Sequence, residues 1–249
     1  MRAPYPEDEE NLRQQIDNLM GRWKAHVNDE LFVEDGFYPY YTHQPVKVLF
    51  IGRESRGLMN FNYIDVLFRA YKSNRIGKQT LAGNSFHRRL LYLLYGILNQ
   101  FPEWNEVPPI QQIAKKFGTA GGISCAFMNL SKSSNESSHF ATRWDNYDQS
   151  VNKGQNFILE EIALLAPDII IANRIKIEKD LPAQTKKINN LSDDMVDVWE
   201  CTLNAKIIPC LNTFHFSAIS RGKGKGFSDY YSYYLPIKKA YQRLSSNIN

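Results

Sequence analysis

Four short stretches of this chain concentrate side chains that can do chemistry. Gly52-Arg53-Glu54-Ser55-Arg56-Gly57 sets a carboxylate between two guanidinium groups, and Asn129-Leu130-Ser131-Lys132-Ser133-Ser134 begins with an amide. Asn173-Arg174 pairs an amide with a cation, and Asn212-Thr213-Phe214-His215-Phe216-Ser217-Ala218 sets an imidazole between two aromatic rings. A carboxylate can hold a water and stabilise a nearby developing cation, an imidazole N–H can donate to a departing anion, and an amide can both donate and accept along one edge of a heterocycle. No local metal-ligand spacing accompanies them. Cys125, Cys201 and Cys210 are scattered, without CxxC or CxxH spacing, and three cysteines cannot ligate a four-cysteine iron–sulfur cluster. The expectation is no metal, no iron–sulfur cluster and no cofactor.

Each stretch follows a short apolar run, so the elements that would position it can be read from the pattern. Val46, Val48, Leu49, Phe50 and Ile51 form a nearly continuous β-branched and aromatic run, which predicts a strand near 46–51 buried on both faces. Similar runs predict strands at 123–130, 168–172 and 206–211. Between them, apolar residues at helical spacing predict helices at 64–71, 85–101, 110–117, 155–165 and 228–244, preceded by an amino-terminal helix carrying Leu12, Ile16, Leu19, Met20, Trp23 and Val27 with Asp8 as its cap. The segment 135–154, with His139 and Trp144, reads as a polar surface excursion, and 175–200 carries no assignable period. Strands alternating with helices and never joined by short hairpins predict an α/β fold, three-layer α/β/α, with a central parallel four-stranded sheet. In such a sheet, ligands bind outside the carboxyl ends of the strands, where all four polar stretches fall.

Composition sets the outer bounds. With 249 residues and 43 % hydrophobic content, the chain can bury one full core, which predicts a single domain over 1–249, with 1–44 as lead-in and 45–249 as the α/β core. A formal charge of +4 permits nucleic-acid contact without requiring it. The paired cations, such as Arg88-Arg89, read as solvated surface; the denser run Arg221-Gly222-Lys223-Gly224-Lys225 is unusual. The first residues are acidic and polar, so neither a signal peptide nor a membrane anchor is expected, and the scattered cysteines fit a reducing, cytoplasmic compartment.

In their order, the four strand ends resemble the uracil-DNA glycosylase superfamily, over roughly 45–234. There the first strand leads into a water-activating acidic or amide residue, the second ends on a base-reading asparagine, and the fourth leads to a His-x-Ser motif. The resemblance implies Glu54 and His215 as catalytic residues, Asn129 as base-reading and Ser217 as phosphate-contacting. It departs from the family where Arg53, Ser55 and Arg56 replace the usual proline and aromatic positions, and where Phe216 stands in the place of proline. It also implies DNA as partner, and a loop after the last motif in which Ile219 wedges into the duplex while Arg221, Lys223 and Lys225 contact phosphates. Arg53 and Arg56 join that DNA-binding set, and Tyr38 and Phe214 are the aromatic residues expected against the base.

The chemistry agrees with that expectation. Hydrolysis of an N-glycosidic bond needs an anion near an oxocarbenium-like sugar, a positioned water and donors for the leaving base. Glu54 would supply the first two, His215 and Asn129 the third. The same residues also admit quieter roles: Glu54 ion-paired with its arginines, Asn129 tying a turn, His215 bonded to backbone. A non-catalytic nucleic-acid or nucleotide binding protein, or an unrelated small-molecule enzyme on the same fold, is therefore the alternative reading.

Overall fold

The computed structural model describes residues 2–136, 141–220 and 226–247. Its centre is a seven-stranded sheet whose strands lie in the order β1 (Gly36–Phe37), β5 (Ala126–Asn129), β2 (Val48–Gly52), β6 (Ile169–Asn173), β9 (Lys206–Thr213), β8 (Val196–Leu203), β7 (Gln184–Lys187). Element order along the chain is α1 (Glu10–Val27), β1 (Gly36–Phe37), β2 (Val48–Gly52), α2 (Tyr63–Lys72), β3 (Arg75–Ile76), β4 (Gln79–Thr80), α3 (Ser85–Leu98), α4 (Ile110–Lys116) and β5 (Ala126–Asn129). Then follow α5 (Trp144–Leu165), β6 (Ile169–Asn173), α6 (Ile177–Asp180), β7 (Gln184–Lys187), β8 (Val196–Leu203), β9 (Lys206–Thr213) and α7 (Leu235–Asn247), the last entered through a π-helical turn, Tyr230–Tyr234. β3 and β4 pair only with each other.

The four predicted strands form the parallel centre, β5-β2-β6-β9. The expected four-stranded sheet is nevertheless too small. β1 adds antiparallel to β5 at one edge, and β8 and β7 add antiparallel beyond β9. The β8–β9 pair is a tight hairpin through Asn204 and Ala205, both at positive φ (49° and 63°), as mirror-image two-residue turns require. Thus hairpins do occur, and the unassigned region 175–200 supplies two strands.

The parallel strands are buried on both faces, which explains their continuous apolar runs. Val48, Phe50, Phe127, Ile169, Ile171 and Leu211 face the layer of α2, α3, α4 and α7. Leu49, Ile51, Met128, Ile170, Ala172 and Cys210 face α1 and α5. Those two helices approach so closely that a Cβ on Gly154 would stand 2.5 Å from the Trp23 ring. α5 begins at Trp144, eleven residues before the expected start at 155, so the second half of the supposed surface excursion is helix. Asp8 does not cap α1 by a side-chain bond; the neighbouring Glu9 is buried instead, accepting from Tyr40 N, Thr42 N and Thr42 Oγ1 at 2.7–2.8 Å. No helix among the described residues is long and apolar enough to cross a membrane.

Candidate active site at the carboxyl edge of the sheet

The sheet register sets the site. Gly52 on β2 pairs with Asn129 on β5, Asn173 on β6 pairs with Thr213 on β9, and Gly52 lies one residue beyond the Ile51–Ala172 pair. Asn129, Gly52, Asn173 and Thr213 therefore form one row across the last rung of the parallel strands. Each stands two residues after Phe127, Phe50, Ile171 or Leu211, so the alternation of a strand points all four toward the α2, α3, α4, α7 side. Asn129, Asn173 and Thr213 are at most 3 % exposed, yet Asn129 Nδ2, Asn173 Nδ2 and Thr213 Oγ1 have no hydrogen-bond partner among the described residues. Buried polar groups are nearly always paired, so three orphans in one row mark it as a candidate site. Gly52 makes room for the Asn129 side chain, because a Cβ there would meet Asn129 Oδ1 at 2.7 Å.

Aromatic rings wall the row. Tyr63 from α2 stacks on Phe127 at 4.6 Å and 14°. Phe86 from α3 contacts Phe127, Phe216 and the His215 ring at centroid separations of 6.3, 5.6 and 5.4 Å. Phe86 thus joins the His215 ring, after β9, to Phe127, two residues before Asn129 on β5. His215 Nδ1 accepts a hydrogen bond from Ser217 N at 3.2 Å. Burial, helped by the nearby charges of Arg53 and Arg56, lowers its pKa to about 4. At neutral pH the ring is uncharged, and with Nδ1 accepting, the proton sits on Nε2 as a donor.

Glu54, with its side chain 8 % exposed, is oriented by the loop after β5: Asn135 Nδ2 donates to Oε1 at 2.9 Å, and an Arg56 guanidinium nitrogen lies 3.6 Å from the same oxygen. Sheet pairing continues past the strands to hold these two loops side by side, through Leu130 N to Gly52 O, Ser131 N to Arg53 O and Asn135 N to Ser55 O at 2.8–3.1 Å. Glu54 also lines a cleft of about 210 Å³ with Ser131, Ser134, Asn135, Arg143 and Tyr147. Arg53 turns toward α5, its Cζ 5.5 Å from the Trp144 ring centre, so Trp144 belongs to the site's margin and is not an isolated surface residue.

Other expected residues lie elsewhere. Tyr38 follows β1, its N–H bonded to Cys125 O at the amino end of β5, and its ring packs on Phe117 and Tyr71 in the core. That is the end of the sheet opposite Asn129, so Tyr38 is a core residue without access to the row. Phe214 packs against Phe227 and lies beneath Arg174, 4.8 Å from its Cζ, at the rim. Ser217 is exposed and meets the site through its backbone. Ile219 is 81 % exposed, accepts from Phe227 N at 2.9 Å through its carbonyl and stands next to the Ser220–Gly226 bridge. Arg221, Lys223 and Lys225, like His139, lie outside the described residues.

Two supports of the site escaped sequence reasoning. Arg89, read as solvated, is 4 % exposed: its guanidinium donates to Phe216 O, Ala218 O and Phe227 O, bonds Asp229 at 2.9 Å and covers Tyr233. It clamps both ends of the loop after His215. Its place, three residues after Phe86 and four before Leu93, on the apolar face of α3, was the available signal. Behind β5, Lys132 Nζ reaches both Asp35 and Glu161, all three side chains at most 1 % exposed, while Asp35 Oδ2 accepts from Asn129 N at 2.7 Å. Burial and the nearby Asp35 raise Glu161 well above the carboxylate range; Lys132 is raised by Asp35 and Glu161 although burial opposes it. Among the described residues, no group of three or more His, Cys, Asp or Glu is placed to hold a metal ion.

In comparisons with known proteins, no family model, curated protein or solved structure matches the chain.

Proposed function

We propose that this protein is a divergent uracil-DNA glycosylase-like protein that binds DNA and hydrolyses the N-glycosidic bond of a damaged or deaminated base. The observations that support the reading are a neutral His215 bearing its proton on Nε2 against Phe86, and a buried Asn129 whose Nδ2 has no partner among the described residues, two residues beyond the Phe127 ring that Phe86 also meets. A flipped base stacked between such rings would meet a donor for the oxygen that gains charge and an amide for its pairing edge. As the bond from the sugar C1′ to the base nitrogen breaks, its electron pair leaves with the base, where His215 and Asn129 stabilise the anion. Water adds to C1′, its proton passing to the Glu54 carboxylate, which also faces the oxocarbenium-like sugar. The base anion then takes up a proton from solvent.

A second reading rests on Arg53 and Arg56. Both flank Glu54, and cations beside a developing oxocarbenium oppose its formation, so the same pocket would bind an extruded base without hydrolysing it. A panel of oligonucleotides, each carrying one modified base, separates the two. Abasic-site formation on any member establishes hydrolysis; retention of a modified oligonucleotide without cleavage selects the binding reading; absence of both denies the site a nucleic-acid role.

A further inference from the structure

The rim of the site carries aromatic rings capped by cations, contributed by three neighbouring strand ends and the start of α5. Trp144, the first residue of α5, is 42 % exposed, with Lys176 Nζ 4.4 Å and Arg53 Cζ 5.5 Å from its ring centre. Phe214, after β9, lies 4.8 Å beneath Arg174 Cζ. Because β2, β6 and β9 are adjacent in the sheet, Arg53, Arg174 with Lys176, and Phe214 follow one another across two inter-strand spacings, roughly 10 Å.

The segment after β6 is built to present its cations. Ile175 and Ile177 are buried at 4 % and 2 %, so the residues alternating with them, Arg174 and Lys176, face solvent. Arg174 adopts φ of 57°, a left-handed conformation that a non-glycine residue takes at a cost, and strain of this kind collects at functional positions. Two nearby carboxylates are engaged in the protein itself: Asp180 accepts from Tyr147 Oη and Lys176 N, and Asp148 pairs with Lys179. Asp145, in the first turn of α5, and Glu178, two residues after Lys176, are exposed carboxylates of the neighbouring segments.

Resting on the nucleic-acid reading above, we infer that this rim is a track for an unpaired strand, with Trp144 and Phe214 as stacking platforms and Arg53, Arg174 and Lys176 as phosphate contacts. Trp144, Arg174 and Lys176 are exposed, and cation–ring contacts at exposed positions are weak, so these cations can turn to phosphates and leave ring faces to bases, while Arg53 and Phe214 are partly exposed at the inner side of the track. In a duplex those base faces are already stacked on their neighbours, whereas in a single strand every base offers one, which makes the track select unpaired substrate.

The test measures binding of the full chain to a labelled oligonucleotide of natural bases, single-stranded and as its own duplex, across a salt series. The expected result is single-strand affinity at least about tenfold above that of the duplex, with Trp144→Ala and Phe214→Ala each weakening single-strand binding by roughly tenfold. Trp144→Phe keeps a stacking ring and should restore most of that loss, which separates stacking from misfolding. Replacing Arg53, Arg174 and Lys176 by Gln together should lower the magnitude of the log K against log salt slope by about two, at close to 0.7 per phosphate contact. Equal affinity for both forms, or unchanged binding in both aromatic variants, overturns the track while leaving base excision open. Because the oligonucleotides are unmodified, failure to release any base would not touch this result; no binding to either form would remove the track and the DNA reading together.

Discussion

The Nδ1 of His215 accepts the backbone N–H of Ser217 at 3.2 Å, which turns a two-residue spacing in the sequence into a chosen tautomer. The bond leaves Nε2 as the protonated nitrogen, and burial together with Arg53 and Arg56 keeps the ring from acquiring a second proton near neutrality.

That environment has a consequence for stability. His215 is lowered to about 4 and His87, by burial, to about 3, so between those values and the ordinary histidine value the unfolded chain binds protons that the folded chain does not. Stability therefore falls as pH drops below about 6.5 and levels off below the folded values. From pH 7 to 5, each histidine should cost about 2 kcal/mol, and denaturant titration of His215→Gln should show that loss reduced by about that amount. A pH dependence identical to that of the parent would mean that His215 is not held neutral.

Glu54→Gln preserves the acceptor that Asn135 Nδ2 contacts, so the fold should persist with little change in melting temperature. If base release occurs, removal of the anion should slow it roughly a hundred-fold or more. Asn129→Asp replaces a donor by an acceptor at the row and should change which modified base is bound or released. Single-turnover rates over the modified-base panel measure both; unchanged rates and preferences remove these residues from the mechanism.

Arg89→Lys retains the charge but not the planar fork that spans Phe216 O, Ala218 O, Phe227 O and Asp229. Leaving at least one buried carbonyl without a donor should cost about 1–3 kcal/mol. Hydrogen exchange should accelerate over residues 216–220 and 226–229 while the protection of β2 and β6 stays as in the parent. Uniform loss of protection would show that the clamp acts on the whole fold and not on the loop.

Lys132→Met strands Asp35 and Glu161 together without their cation and should destabilise the protein by about 3–5 kcal/mol. Adding Glu161→Met removes the buried carboxyl group that has lost its ammonium partner and should recover part of the loss. Urea denaturation of the parent, single and double variants reads this directly, and a double variant no more stable than the single one would contradict the charge-sharing arrangement.

The parallel centre of the sheet and the helical stripe of α3 were legible in the sequence, because an element buried on both faces, or on one broad face, must be apolar at every inward position. Val48 to Ile51 and Phe86 to Leu98 follow that requirement, and the strands ended at Gly52, Asn129 and Asn173 where polar residues begin. β8 concealed itself because adjacent Val198 and Trp199 enter opposite cores, which breaks simple alternation, and its turn uses Asn204-Ala205 without glycine. The first turns of α5 were hidden by polar residues around Tyr147 and Val151, two buried anchors at helical spacing. Candidate side chains at strand ends could be named from residue type alone. Their environment could not: that Arg89 reaches the carbonyls after His215, that Tyr38 sits at the far end of the sheet, and that Asn129 and Asn173 share a row depends on register and on which helix covers which face. Those are contacts between residues distant in sequence, and no local pattern encodes them.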